Sequence, residues 1–382
     1  MVKADNAVPL TVQIPPRLDV NTASVLESSL ELDGIHKLIM DFGGCQYVSS
    51  AGIRVILKTF QTLSKGGGRL VLANVPKSVR DIFEITGLDQ IVSLEKKPRE
   101  ISLDGMELLS AGVCGECYRL DEETIVKLYR EGIDPAIAEQ EKRYARAAFV
   151  MGVPTAISYE VVACGNRAGI VFEMLDAELL SAVIRREPEN LDTHARTLAE
   201  VMSTLHTAKG DPTVLPNMKA RFRAYLLEIE GCLSERENRF LREKLESIPD
   251  ADTCVHFDLH SSNLMIRAGE PVIIDMGDLS IGSYLFDAGL MYTIYGIPET
   301  GFSELATKIP VELGHEFWLC FERHFFAGKS EAEYAYFREN RYFFGALRVI
   351  YTITFLPQIR EDFIRILKTL LLPRMMASQS IS

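Results

Sequence analysis

Three side chains in the second half of this 382-residue sequence could together carry one reaction. Asp258 and Asn263 lie in Val255-His256-Phe257-Asp258-Leu259-His260-Ser261-Ser262-Asn263-Leu264, and Asp275 follows the apolar run Val272-Ile273-Ile274. An acid, an amide and a second acid, on two loops joined by strand-like runs, are the set that phosphoryl transfer from a nucleotide needs. One carboxylate faces the acceptor hydroxyl, while an amide oxygen and another carboxylate hold magnesium, a hard cation that prefers oxygen. Asp258 is therefore expected to be the catalytic carboxylate, with Asn263 and Asp275 as metal ligands. A competing assignment makes His256, Asp258 and His260 ligands of zinc or iron on one face of an extended strand. It leaves Asn263, Asp275, Lys127 and Glu141 without roles.

The elements that must position these groups begin upstream. Leu108 to Leu120 reads as a hairpin with a glycine-containing bend, and Thr124-Ile125-Val126-Lys127-Leu128-Tyr129 as a third strand. Small residues let backbone N–H groups approach phosphate oxygens, so Gly112 and Gly115 are the candidate phosphate-covering positions. The pair is sparser than a G-x-G-x-x-G loop and is equally an ordinary turn signal. Lys127 lies on an apolar β-branched strand soon after the bend, where kinases place the ammonium that pairs the α- and β-phosphates. A lysine facing a cleft needs a carboxylate. The helical stretch 135–145 offers Glu141 and Glu139, of which Glu141 is preferred. Gly169 to Leu175 reads as a strand running into an interlobe connection, where Glu173 and Leu175 are assigned to the nucleotide base by position alone. The amphipathic helix from His194 to His206 belongs to a core, with His206 structural and satisfied by a backbone partner. Residues 303–373 read as helical and aromatic-rich, and such aromatic spacing is more often core than ligand cage.

The H-x-D-x-x-x-x-N spacing, followed by Asp275, is similar to the catalytic and metal loops of protein kinases. The D-L-H-x-x-N variant, with D-x-G-D at residues 275–278, resembles the aminoglycoside phosphotransferase family of the kinase-like fold, over residues 107 to about 345. That resemblance implies ATP and Mg²⁺ and a bilobal architecture whose last helices shape the acceptor pocket. It also implies that Asp278 orients the metal loop, that Asp287 braces the catalytic loop, and that Glu141 precedes the Gly152-Val153-Pro154 turn.

The first hundred residues alternate strands and helices. Leu10–Ile14, Lys37–Phe42 and Arg69–Ala73 read as strands, and Asp19–Leu32, Ile53–Leu63 and Ser78–Phe83 as helices. Asn21 or Thr22 is the expected N-cap of the first helix. The run Asp41-Phe42-x-x-Cys45-x-Tyr47-Val48-Ser49-Ser50-Ala51-Gly52-Ile53, with Gly87-Leu88 later, resembles a STAS domain of the anti-sigma-factor-antagonist type. In that family the serine directly after an Asp is phosphorylated, which maps to Ser50, with Ser49 standing at the Asp position. A phosphate there would be favoured by a helix N-terminus and would repel a partner covering the surface. Ser49 or Ser50 as a plain helix cap is the alternative.

Composition bounds the rest. The net charge of -12 argues against nucleic acid as the principal partner, since backbone binders carry basic stripes. No apolar run reaches membrane-spanning length, and seven scattered cysteines fit a reducing cytoplasm rather than a disulfide frame. The expected fold class is α/β followed by α+β: a small mixed sheet with helices over residues 1–104, then a bilobal kinase-like domain over 105–382. Its N-lobe would span 105–172, its hinge 173–176 and its C-lobe 177–382. The expected activity is transfer of phosphate from ATP, with Mg²⁺, to a hydroxyl of a small molecule, under a regulatory STAS domain that binds an anti-sigma-like protein. The alternative is a signalling protein whose kinase-like domain modifies protein serine or only senses nucleotide.

Overall fold

The computed structural model describes residues 10–94, 98–112 and 114–377. They form two compact units that part between Arg99 and Glu100.

In the first unit, the strands Leu10–Gln13, Lys37–Asp41, Arg69–Ala73 and Ser93–Leu94 pair in that order, each pair parallel. Parallel neighbours need crossovers, and the helices Val20–Ser29, Ser50–Lys65 and Lys77–Thr86 supply them. Leu38, Met40, Phe42, Ile56, Leu72 and Phe83 fill the core between helices and sheet. The first helix is capped by Asp19, two or three residues ahead of the expected Asn21 or Thr22. The Asp19 carboxylate accepts from the N–H groups of Asn21 and Thr22, while the Thr22 hydroxyl accepts from the Asp19 N–H. A carboxylate reaches two orphan amides at once, which explains why the cap falls there.

The smaller lobe of the second unit is built on antiparallel strands in the order Ser158–Cys164, Arg167–Glu173, Thr124–Tyr129, Gly115–Arg119 and Leu108–Ala111. The helix Ala136–Val150 belongs to the same lobe. Residues 174–177 lead out of this sheet without regular structure. Beyond them stand the helices Leu191–Leu205, Met218–Glu228, Val311–Phe326 and Glu331–Phe355 and the hairpin Leu264–Arg267/Glu270–Ile273. The aromatic stretch of the sequence is core: Trp318 is 2% exposed and packs against Tyr292, Phe321 and Phe337. Among the described residues no helix is long and apolar enough to cross a membrane.

One short helix, Leu285–Met291, fixes the loop that precedes Asp258. Its Asp287 side chain is fully buried and accepts from the N–H groups of His256 (3.0 Å) and Phe257 (2.6 Å). His206 Nε2 lies 2.8 Å from the same carboxylate, so the partner of His206 is an acid and not the expected backbone group. Phe257 adopts a left-handed backbone, φ 61°, which an L-residue holds only when its surroundings over-determine it. Here the Asp287 bond fixes its amide and the rings of Phe222 (5.2 Å) and Tyr351 (5.5 Å) fix its side chain. The bracing helix sits hard against Glu331–Phe355, for a Cβ on Gly289 would come within 2.6 Å of the Phe344 carbonyl oxygen.

Two outcomes follow for this brace. Gly289→Val should lower the stability of the second unit by about 1–3 kcal/mol, read as an earlier urea midpoint in the fluorescence of Trp318, the only tryptophan; an unchanged midpoint would mean slack between these helices. Asp287→Ala should cost about 3 kcal/mol or more, because buried donors lose their acceptor. A loss under about 1 kcal/mol would show that the loop holds its turn unaided.

Candidate active site

Lys127 projects from the strand Thr124–Tyr129 and is 14% exposed at its side chain. Its Nζ lies 2.9 Å from each carboxylate oxygen of Glu141 and 3.0 Å from Asp275 Oδ1. The expected Lys127–Glu141 pair is thus formed, and Glu141 rather than Glu139 is the partner. Glu141 is 2% exposed and also accepts a hydrogen bond from the Tyr129 hydroxyl. Burial alone would lower the Lys127 ammonium, but Asp275 and Glu141 outweigh it and hold the charge well above the ordinary lysine range. At Asp275 the loss of solvent opposes ionisation, and Lys127 more than offsets it, leaving the carboxyl below its ordinary value. Asp275 has a left-handed backbone, φ 64°, one residue past the end of the hairpin strand Glu270–Ile273, after Ile274.

That hairpin also sets the distance between the two metal-ligand candidates. Leu264 pairs with Ile273, and the Ile274 N–H donates to the Asn263 carbonyl at 3.0 Å, so Asn263 and Asp275 stand at the same end of the ladder. The Asn263 amide Nδ2 donates to the Asp258 carbonyl (2.8 Å) and to Asp258 Oδ2 (3.1 Å). Both bonds use the nitrogen, which leaves the amide oxygen as the atom for a hard cation. An amide oxygen and a half-exposed carboxylate suit magnesium, which keeps waters and takes further oxygens from a nucleotide's phosphates. His256 and His260 are otherwise engaged: their Nδ1 atoms accept from the N–H groups of Asp258 and Ser262, each at 3.2 Å. Burial, with Arg348 and His256 nearby, pushes His260 down to about 3, so its ring is neutral. Among the described residues no group of three or more His, Cys, Asp or Glu side chains is placed to hold a metal ion. The zinc or iron assignment therefore lacks the cluster it requires.

Burial pushes the Asp258 carboxyl up to about 6, against the opposing pull of Arg348. Arg348 is the group that the sequence reading missed. It comes from the helix Glu331–Phe355, its guanidinium 2.7 Å from Asp258 Oδ1 and 3.2 Å from the Phe257 carbonyl. The available signal was one cation in the otherwise apolar run Phe343-Phe344-Gly345-Ala346-Leu347-Arg348-Val349-Ile350, because a charge on a buried helix face needs a partner. Asp278 is bound to Arg221 (2.7 Å) and to the Tyr351 hydroxyl (2.7 Å), and so anchors the end of the Asp275 loop to two helices.

The remaining candidates are placed as follows. Gly112 and Gly115 close the bend between Leu108–Ala111 and Gly115–Arg119, with the Gly112 N–H donating to the Gly115 carbonyl at 2.8 Å. A Cβ at Gly115 would meet the Leu128 carbonyl oxygen at 2.4 Å, so its glycine is required for packing against the lysine strand; Gly112 has room. Glu173 accepts from the Ile157 N–H (2.9 Å) and lies 3.5 Å from Arg267, and Leu175 packs on the core beyond. In the first unit, Ser49 caps the helix Ser50–Lys65 through the Gly52 N–H (3.4 Å), while Ser50 is exposed at its first position.

Comparison with known proteins agrees with both halves. Residues 2–101 match the STAS domain and residues 107–307 the phosphotransferase enzyme family, APH. The chain is 37% identical over 73 residues to BtrV of Bordetella bronchiseptica, named as a candidate anti-sigma factor antagonist; the match covers 18% of this chain and 63% of that protein, just under two thirds of its length. It is 31% identical over 90 residues to the anti-sigma-B factor antagonist of Bacillus subtilis, covering 23% of this chain and 83% of that protein. Among solved structures, the ADP-bound aminoglycoside phosphotransferase APH(2'')-Ib is similar at 16% identity and a TM-score of 0.49, over 77% of this chain and 98% of that chain. With more than half its length matched, the chain belongs to the phosphotransferase enzyme family and carries a STAS domain ahead of it.

Proposed function

We propose that the second unit transfers the γ-phosphate of ATP, with Mg²⁺, to a hydroxyl of a small molecule, and that the first unit regulates it. The observation that carries this reading is the joined charge set: Lys127 between Glu141 and Asp275, and Asn263 between the metal side and Asp258. Bound Mg-ATP would supply the phosphoryl group and neutralise its developing charge. Lys127, held by Glu141, would pair the α- and β-phosphates, and Asn263 and Asp275 would hold the metal. Gly112 and Gly115 would cover the phosphates, and the connection near Glu173 and Leu175 would receive the base. Asp258 would orient the acceptor and take its proton while the acceptor oxygen bonds to the γ-phosphorus and the bond to the departing ADP breaks. A carboxylate made more basic by burial suits that task.

In the first unit, Ser50 is our proposed phosphorylation site and the surface around it the binding face for an anti-sigma-like partner. Ser49 already caps the helix, so the Ser50 hydroxyl is not needed for that purpose. A phosphate at the helix start would meet favourable backbone dipoles while adding about -1.5 to -2 charge against a partner. We place the protein in the cytoplasm.

Asp258→Asn should lower turnover of Mg-ATP with any accepted hydroxyl compound by roughly a hundredfold or more, while the thermal shift produced by Mg-ADP persists. Retention of full turnover would remove Asp258 from catalysis, and absence of any Mg-ADP shift in the natural protein would remove the nucleotide site. Mass spectrometry after incubation with ATP and an anti-sigma-type serine kinase should find phosphate on Ser50 and none in Ser50→Ala; phosphate found only elsewhere rejects Ser50 as the switch.

A further inference from the structure

The two oxygens of Asp258 have different neighbours. Oδ2 is held by the Asn263 amide, on the side of the candidate metal ligands. Oδ1 faces Arg348 at 2.7 Å, with the neutral His260 ring Nε2 farther off at 3.7 Å, and is shut off from solvent, yet no donor, Arg348 included, meets it with hydrogen-bond geometry. The guanidinium therefore covers this oxygen by charge proximity rather than by an aligned bond. An acceptor hydroxyl that is to reach Asp258 away from the metal must approach Oδ1, and Arg348 must yield it.

Arg348 is well held for such an exchange. It donates to the Phe257 carbonyl at 3.2 Å and lies over the Tyr351 ring at 4.8 Å. The other cations of the cleft are committed: Arg221 to Asp278, and Lys127 to Glu141 and Asp275. A guanidinium stays charged at any working pH and is costly to leave without an anion in a confined site. Releasing it from Asp258 is therefore favoured by an incoming molecule that brings a negative group to replace the carboxylate. Its planar fork matches a carboxylate or a phosphate, with two parallel bonds. A polycationic acceptor would instead meet a fixed positive charge beside the base.

We propose that the acceptor is a hydroxyl-bearing anion whose carboxylate or phosphate is bound by Arg348, an exchange that uncovers Asp258 Oδ1 for the hydroxyl. The inference rests on the phosphotransferase reading given above. It names the acceptor's chemical class and makes Arg348 the residue that selects it.

The test uses the full chain with Mg-ATP and small primary alcohols that differ in charge: glycerol, glycerate, glycerol 3-phosphate and choline, with kanamycin as a polycation. ADP release is measured for each, and thermal shift is measured in the presence of Mg-ADP. We expect glycerate or glycerol 3-phosphate to exceed glycerol, choline and kanamycin at least tenfold in kcat/KM, the two anions separating a carboxylate from a phosphate site. Arg348→Met should erase that advantage through KM, and Arg348→Lys, which keeps charge but not the fork, should retain part of it. The Mg-ADP shift of each variant reports whether it is folded. The proposal is overturned if neutral or cationic compounds are preferred, if neither anion binds or reacts better than glycerol, or if Arg348→Met slows all acceptors equally. Absence of a Mg-ADP shift in the natural protein would instead bring down the phosphotransferase reading, and this inference with it.

Discussion

The cleft depends on one ammonium shared by two carboxylates. Lys127 comes from the smaller lobe's sheet, Glu141 from its helix, and Asp275 from the loop after the hairpin of the larger lobe. Burial raises the Glu141 carboxyl and Lys127 at 2.9 Å opposes that, while the two acids together keep the lysine charged. The third member makes the pair useful. Asp275 carries negative charge in excess of what one lysine can balance, and its 42% side-chain exposure leaves it open to a cation. On the proposed reading, Asp275 would hold a metal and Lys127 would turn to phosphate, each acid and base of the site keeping a counter-charge.

Around this centre the larger lobe uses the same device in reverse. Asp287, fully buried, accepts from two backbone amides and faces an imidazole, and so restrains the loop. The restraint is needed because Phe257 sits in a left-handed conformation. Its rings of contact, Phe222 and Tyr351, come from separate helices, and Tyr351 also binds Asp278. The helix that supplies Tyr351 also supplies Arg348, one turn earlier. The position of Asp258, the anchoring of the Asp275 loop and the cover of Asp258 Oδ1 are therefore set by one helix face.

How much of this could be read from residues alone varied with the range of the interaction. The lysine strand was legible to the residue, Thr124–Tyr129, because apolar β-branched alternation is local. Glu141 was legible as a choice between two acids on one helix, and packing decided it. The cap at Asp19 was missed by a few residues because several side chains there can bond to orphan amides. The partner of His206 was missed because Asp287 lies 81 residues away in sequence. Gly115 was read as a phosphate-covering residue, while the close approach of Leu128 gives it a second reason that no local pattern contains. Arg348 escaped altogether: its partner Asp258 is ninety residues upstream, and helical periodicity assigns it only to a buried face.

That last case bears on what a family motif can say. On the proposed reading, the spacing of Asp258, Asn263 and Asp275 would answer to the phosphate and its metal, which are common to every acceptor, and would carry no information about the acceptor. On that reading, choice of acceptor would fall to groups that touch Asp258 on its other side. In this chain that side is occupied by a cation from the C-terminal helices, beyond the segment 107–307 matched by the family. A charge at 2.7 Å from the base outweighs the net charge of the chain, whose acidic residues are largely screened over longer distances in solution. The overall charge of -12 is thus a poor guide to the surroundings of Asp258 Oδ1, where Arg348 stands 2.7 Å away.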